Sequence, residues 1–172
     1  MKPKLPPHDI EAEESVLAAI LIDTEAIVKA TESLSPNSFY KRSHQLIFEA
    51  MMILFEKREP IDVLTLNNQL KKLKSLDDVG GASEITRLSN VLSTAANVEY
   101  YAKVVREYFI KRELISLGNN MSEMAMDESK MISDTLDEAE QKVLSISQIH
   151  SSRAFSPLKE TLVESFDRLD EL

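Results

Sequence analysis

Residues able to do chemistry are few in this sequence and widely spaced. Three histidines, His8, His44 and His150, stand far apart, and none has the His-x-x-x-His or His–carboxylate spacing of a metal site. His44 falls at the start of a predicted helix beside Phe39 and Tyr40, where a structural role fits an imidazole better than a catalytic one. Two carboxylate clusters, Glu11–Glu14 and Asp137–Glu140, remain as places to seek a paired acid and base. Each lies inside a helical pattern, so both are expected to be solvated helix faces. No Gly-x-x-x-x-Gly-Lys-Ser/Thr loop and no Gly-x-Gly-x-x-Gly turn is present to cradle a phosphate. Cysteine is absent, which removes disulfides and thiolate ligands and favours a reducing, cytoplasmic setting. The residues predict a non-catalytic binding module with no metal and no cofactor of its own.

Charge narrows the partners. The 172 residues carry a net charge of −9. Such a surface repels phosphates, so direct nucleic-acid binding is not expected, although the same acidity also serves solubility. No apolar run approaches the roughly 20 residues that cross a bilayer, and Met1–Glu11 lacks the apolar core of a signal peptide. Membrane association is not expected either.

The elements that position these residues are helical. Three glycines and six prolines, against abundant alanine, leucine, glutamate and lysine, predict an all-α fold. After a proline-rich arm at Met1–Pro7, Asp9 is predicted to cap a first helix with Ile10, Val16, Leu17, Ile20 and Leu21 on its buried faces. Asp23 is predicted to cap a short second helix carrying Ile27, Val28 and Ala30. Ser35-Pro36 suits another helix start, followed by a helix from about Ser43 with Ile47, Ala50, Met51 and Leu54 on one side. Pro60-Ile61-Asp62 breaks and recaps the pattern ahead of Leu66, Leu70 and Leu73, and Gly80-Gly81 marks a turn before Ile85 and Leu88.

The longest predicted element begins after Asn97 and runs to about Ala125. At 1.5 Å per residue it would span roughly 40 Å. Its first half is apolar on more than one side, as in a core; from Ile110 the spacing narrows to a four-three seam of Ile110, Leu114, Leu117, Met121 and Met124. Beyond the polar run Asp127–Lys130 a matching seam follows, Ile132, Leu136, Ala139, Val143 and Ile146, and together the two predict an antiparallel hairpin. Two helices alone leave apolar residues uncovered, so the hairpin either packs on a second copy or folds back on its own body. The chain is therefore divided into a helical head (1–96), a hairpin (97–149), a linker (150–156) and a short amphipathic helix (157–172). That last helix carries Leu158, Leu162, Phe166 and Leu169 on one stripe, with nothing of its own to cover.

Several weak motifs in a fixed order then become specific. Glu11-Ala12-Glu13 with Val16-Leu17 resembles the N-terminal domain of the bacterial replicative DNA helicase, the DnaB family. The similarity continues through Phe39-Tyr40, His44, Ile47-Phe48, Ala50-Met51, Pro60-Ile61-Asp62, Gly80-Gly81, Ala96-Asn97, Tyr101-Ala102 and Arg112 to Asp137-Glu138-Ala139-Glu140. Ala19 departs from the glycine common there in the family, which implies only slightly different local packing. The resemblance implies a helical head and a hairpin that dimerises. Three such dimers would make a hexameric ring collar that binds the primase C-terminal domain and, in some systems, takes part in loading with a helicase loader. It implies that ATP and Mg chemistry lies in a RecA-like domain absent from these residues, and that Leu158, Leu162, Phe166 and Leu169 belong to a linker helix docking on a neighbouring subunit. A stand-alone helical adaptor is the alternative within this class. A helix-turn-helix regulator would need a basic recognition helix, which Gln69–Lys74 supplies poorly, and a helical hydrolase would need a convergent acid, base or nucleophile.

Overall fold

Short polar side chains set the starts of α-helices at Asp9 and Asp62. In the computed structural model, which describes residues 5–92 and 94–151, α1 (Ile10–Ile22) begins where the Asp9 carboxylate accepts the Ala12 N–H at 3.0 Å. That bond satisfies one of the first-turn N–H groups a helix leaves without an internal partner. α2 (Ala26–Thr31) starts later than predicted. Asp23 ends α1 and accepts from the Glu25 N–H at 3.0 Å, so it shapes the turn ahead of α2 instead of capping the helix. Ser35-Pro36 opens only a single 3-10 turn, Pro36–Ser38, closed by reciprocal Ser35 and Ser38 bonds, because Phe39 must turn inward to be buried.

α3 (Arg42–Glu56) buries the predicted Ile47, Ala50, Met51 and Leu54. α4 (Val63–Lys72) is capped by Asp62, which accepts from Leu64 and Thr65 at 2.8 and 2.9 Å while the Thr65 hydroxyl returns to the Asp62 N–H. Leu66 and Leu70 point inward; Leu73, at the helix end, stays exposed. Both α3 and α4 close through a left-handed residue, Arg58 (φ 56°) and Lys74 (φ 58°), where glycine is usual. A cation there is also favoured by the negative end of the helix dipole. Gly80 and Gly81 (φ 97° and 77°) make the turn into α5 (Gly81–Ser89), which buries Ile85 and Leu88. α6 (Val98–Met126) and α7 (Ile132–Ser151) complete an all-helical chain with no strand among the described residues.

The backbone sorts into two compact units, one reaching Arg112 and one starting at Glu113, so α6 contributes to both. In the first unit α1 is apolar nearly all round and packs on α2, α3 and α5, as expected of a helix surrounded by others. Val98, Ala102 and Val105 from the first half of α6 join that core.

Polar groups inside this core correct one sequence expectation. Glu13 is not solvated: it is 1% exposed, and its carboxylate accepts from the Tyr40 N–H, from the Lys41 N–H at 3.3 Å and from His44 Nδ1 at 2.8 Å. The residue preceding α3, Lys41, offers no side-chain cap; the Glu13 carboxylate holds the backbone just before the helix, at Tyr40 and Lys41, and the His44 ring in its first turn. Glu13 shares a face with Val16, Leu17 and Ile20, so helical geometry carries it inward with them. The expected structural role of His44, fully buried on Glu13, is borne out.

Two arginines add further ties. Arg87 of α5 grips Glu14 of α1 at 2.6 and 3.1 Å and Glu84 of its own helix at 2.8 and 2.9 Å. Arg112 of α6 donates to the Pro7 carbonyl at 2.9 Å and the Ser38 carbonyl at 2.6 Å. It also lies 5.7 Å from the Tyr40 ring, on which His8 stacks at 4.2 Å.

Glu13→Ala should strip the buried His44 and two part-buried backbone N–H groups of their acceptor and cost about 3–5 kcal/mol in urea unfolding. A loss within about 0.5 kcal/mol, the range of a solvated surface residue, would contradict this assignment. The Arg87 hydrogen bond holds the Glu84 carboxyl below the usual carboxylate range. A carboxyl so lowered contributes stability that is full above its unfolded pKa and is lost as pH falls through the folded one. The stability gap between the native chain and Arg87→Gln should therefore shrink on acidification, and a gap independent of pH would refute the link.

Candidate functional site

The second unit is built from the end of α6, the turn after it and α7. Asp127 organises the turn by accepting from the Ser129 N–H at 3.0 Å and the Ser129 hydroxyl at 2.5 Å, which hold its carboxyl below the usual range. Across the turn Lys130 meets Glu138 at 2.7 Å, and Lys142, one helical turn on, lies 3.6 Å from the same carboxylate. The hydrogen bond between them raises the Lys130 ammonium and lowers the Glu138 carboxyl. These pairs are surface-exposed and set local geometry more than stability.

Beside the turn lies an apolar depression of about 330 Å³, lined by Met121, Met124 and Ala125 of α6 and by Ile132, Leu136 and Ala139 of α7. The structure thus brings together five of the predicted seam residues, Met121, Met124, Ile132, Leu136 and Ala139. Met124 is buried there, and Met121 is half-buried. Leu117 is half-buried without lining the depression, Leu114 and Val143 are exposed, and Ile110 belongs to the first unit. Leu158, Leu162, Phe166 and Leu169 lie outside the described residues.

Much of this unit's apolar surface stays open to water. Ile132 is 74% and Leu136 62% exposed, and Leu114, Ile115, Met126, Met131, Val143 and Leu144 are exposed as well. Soluble monomers rarely concentrate large apolar side chains in this way, and such surfaces mark contact with other macromolecules.

No comparable arrangement for catalysis appears among the described residues. The Glu13–His44 pair combines an acid and a base, but both are shut inside the core. Among the described residues no group of three histidines, cysteines or carboxylates is placed to hold a metal ion, and no helix is long and apolar enough to cross a membrane. The pairing of Glu13 with His44, 31 residues apart, was missed in the sequence. Its only signal there was that Glu13 lies on the apolar stripe of α1.

Known proteins place this architecture. Residues 5–107 match the model of the DnaB-like helicase N terminal domain. The replicative DNA helicase DnaC of Bacillus subtilis is 38% identical over 98% of this chain, which covers 37% of that relative. This chain thus spans little more than a third of that relative's length. The crystal structure of the N-terminal domain of DnaB helicase from Mycobacterium tuberculosis superposes with a TM-score of 0.79 and 31% identity, covering 82% of this chain and 99% of that one. The N-terminal domain of the Helicobacter pylori DnaB helicase, described together with its interactions with primase, matches with a TM-score of 0.58 and 26% identity over 67% of this chain and 89% of that one. On the match over residues 5–107 and the likeness to the Mycobacterium tuberculosis domain, the chain belongs to the family of DnaB-like helicase N-terminal domains.

Proposed function

We propose that this chain is the collar domain of a hexameric replicative DNA helicase of the cytoplasm. In this reading the hairpins pair two copies, three pairs close a ring, and the ring receives the primase C-terminal domain and, during assembly, a helicase loader. ATP and Mg chemistry is assigned to the remainder of the full-length helicase, and the stripe of Leu158, Leu162, Phe166 and Leu169 to a helix that docks on a neighbouring subunit. The observation that carries the self-association is the uncovered apolar surface of α6 and α7, in a family whose relatives are replicative helicases. The primase reading draws support from the Helicobacter pylori relative.

Gly118 adds a second argument. A glycine inside a helix costs about 1 kcal/mol against alanine, and a Cβ built on Gly118 would meet nothing within 4 Å among the described residues of the single chain. Packing inside one copy therefore gives no reason for glycine here. Close approach of another copy's helix would give one.

Leu136→Asp tests the pairing cleanly, since Leu136 is exposed in the single chain and its replacement should leave folding within about 0.5 kcal/mol. Sedimentation should show at least twice the 19.4 kDa monomer mass for the native chain and a shift toward monomer for the variant. A native chain that stays monomeric at high concentration, or a variant that keeps the native mass, would defeat the reading. The purified chain should also hydrolyse no ATP. Turnover that co-purifies with it through successive columns would show that these residues hold a nucleotide site.

A further inference from the structure

The head carries another uncovered apolar surface, in the first unit and distinct from the hairpin. A depression of about 560 Å³ along α2, beside Thr24, Val28 and Phe55, adjoins one of about 650 Å³ that shares Thr24 and Phe55 and reaches Pro60 beyond the end of α3; together they form a groove. Val28 is 46% and Phe55 41% exposed. Glu25 and Glu32 line it from the α2 side, Glu56 and Glu59 from the α3 side. The two cations beside it, Lys29 and Arg58, do not balance these four carboxylates, because Lys29 is already paired with Glu99 at 2.9 Å.

The wall made by the end of α3 is held in place. Arg58 N–H donates to the Phe55 carbonyl and Glu59 N–H to the Leu54 carbonyl, both at 2.9 Å, closing the helix around the left-handed Arg58. The backbone that carries Phe55, Glu56 and Glu59 is thereby fixed before any ligand arrives, which lowers the ordering cost of binding.

We propose that this groove docks a basic amphipathic helix of a partner protein. Apolar residues one helical turn apart would rest on Val28 and Phe55, and flanking lysines or arginines would meet Glu25 and Glu32 on one side and Glu56 and Glu59 on the other. A second copy of this chain is a poor occupant, since its net charge of −9 opposes the acidic rim. The inference does not rest on the collar reading, which concerns the hairpin.

The test is amide chemical-shift mapping on the 172-residue chain with a synthetic amphipathic helix of leucine and lysine, and with its leucine–glutamate counterpart. The lysine peptide should perturb Thr24–Glu32 and Leu54–Pro60, bind more weakly as salt rises, and lose about tenfold in affinity in Phe55→Ser and in the Glu32→Lys, Glu56→Lys double variant. Leu64→Ser, at an exposed leucine elsewhere on the head, should leave affinity unchanged. Absence of binding, shifts spread over α6 and α7, equal binding of the glutamate peptide, or indifference to Phe55→Ser would each overturn the proposal. So would concentration-dependent shifts at the same residues without peptide, which would identify a second copy as the occupant.

Discussion

A carboxylate inside a helical core is the constraint around which the head is arranged. Glu13 lies among apolar neighbours where an unpartnered charge would be costly, so its position holds only while Tyr40, Lys41 and His44 present their donors to it. Two of those donors are the backbone N–H groups just before α3, and the third is the ring of a residue in its first turn. One side chain of α1 thus fixes how the chain enters α3. With α3 in place, Phe39, Ile47, Phe48 and Met51 have a core to enter, and α4 can pack on the other side of α3. Tyr40, whose backbone is held by Glu13, stacks on His8 and lies beside Arg112, which draws the arm before α1 and the 3-10 turn toward α6.

Local physics was legible in the sequence. Asp9 and Asp62 cap where their spacing from the apolar stripes requires, and the paired glycines turn where no side chain is tolerated cheaply. The long uninterrupted pattern after Asn97 gives α6, and the polar run after Met126 gives its end. Distant polar contacts were not legible. Carboxylates near a helix start are favoured by the dipole whether or not they are buried, so Glu11, Glu13 and Glu14 read alike. Only the tertiary structure separates them, sending Glu13 to His44 and Glu14 to Arg87. Arg112 stands out in the sequence only through the family resemblance, and nothing there points to the carbonyls 105 and 74 residues away that it reaches.

The hairpin shows the same limit from the apolar side. A four-three spacing says that one face of a helix is sticky, not how much of that face its partner covers. In the second unit Met124 is covered while Leu136 and Ile132, from the facing seam, remain exposed. The pattern identified candidate contact residues but left the share buried within one chain to the structure.

Charge is arranged differently around the two uncovered apolar surfaces. Around the hairpin turn Glu138 is matched by Lys130 and Lys142, so the carboxylate beside the Leu136 stripe is locally compensated. Along the α2–α3 groove the carboxylates outnumber the cations, and one of those cations is already engaged. Two copies of a chain with net charge −9 repel at long range, and that repulsion is screened beyond about 10 Å in ordinary salt. At contact distance the local balance decides. The Glu138 charge is matched within the chain, but residues 113–151 carry eight carboxylates against two lysines, so the proposed pairing of hairpins would have to keep the other carboxylates at its rim. Equal apolar exposure therefore does not decide the occupant: the groove, with carboxylates on both walls and no lysine free to match them, would suit a partner of opposite charge.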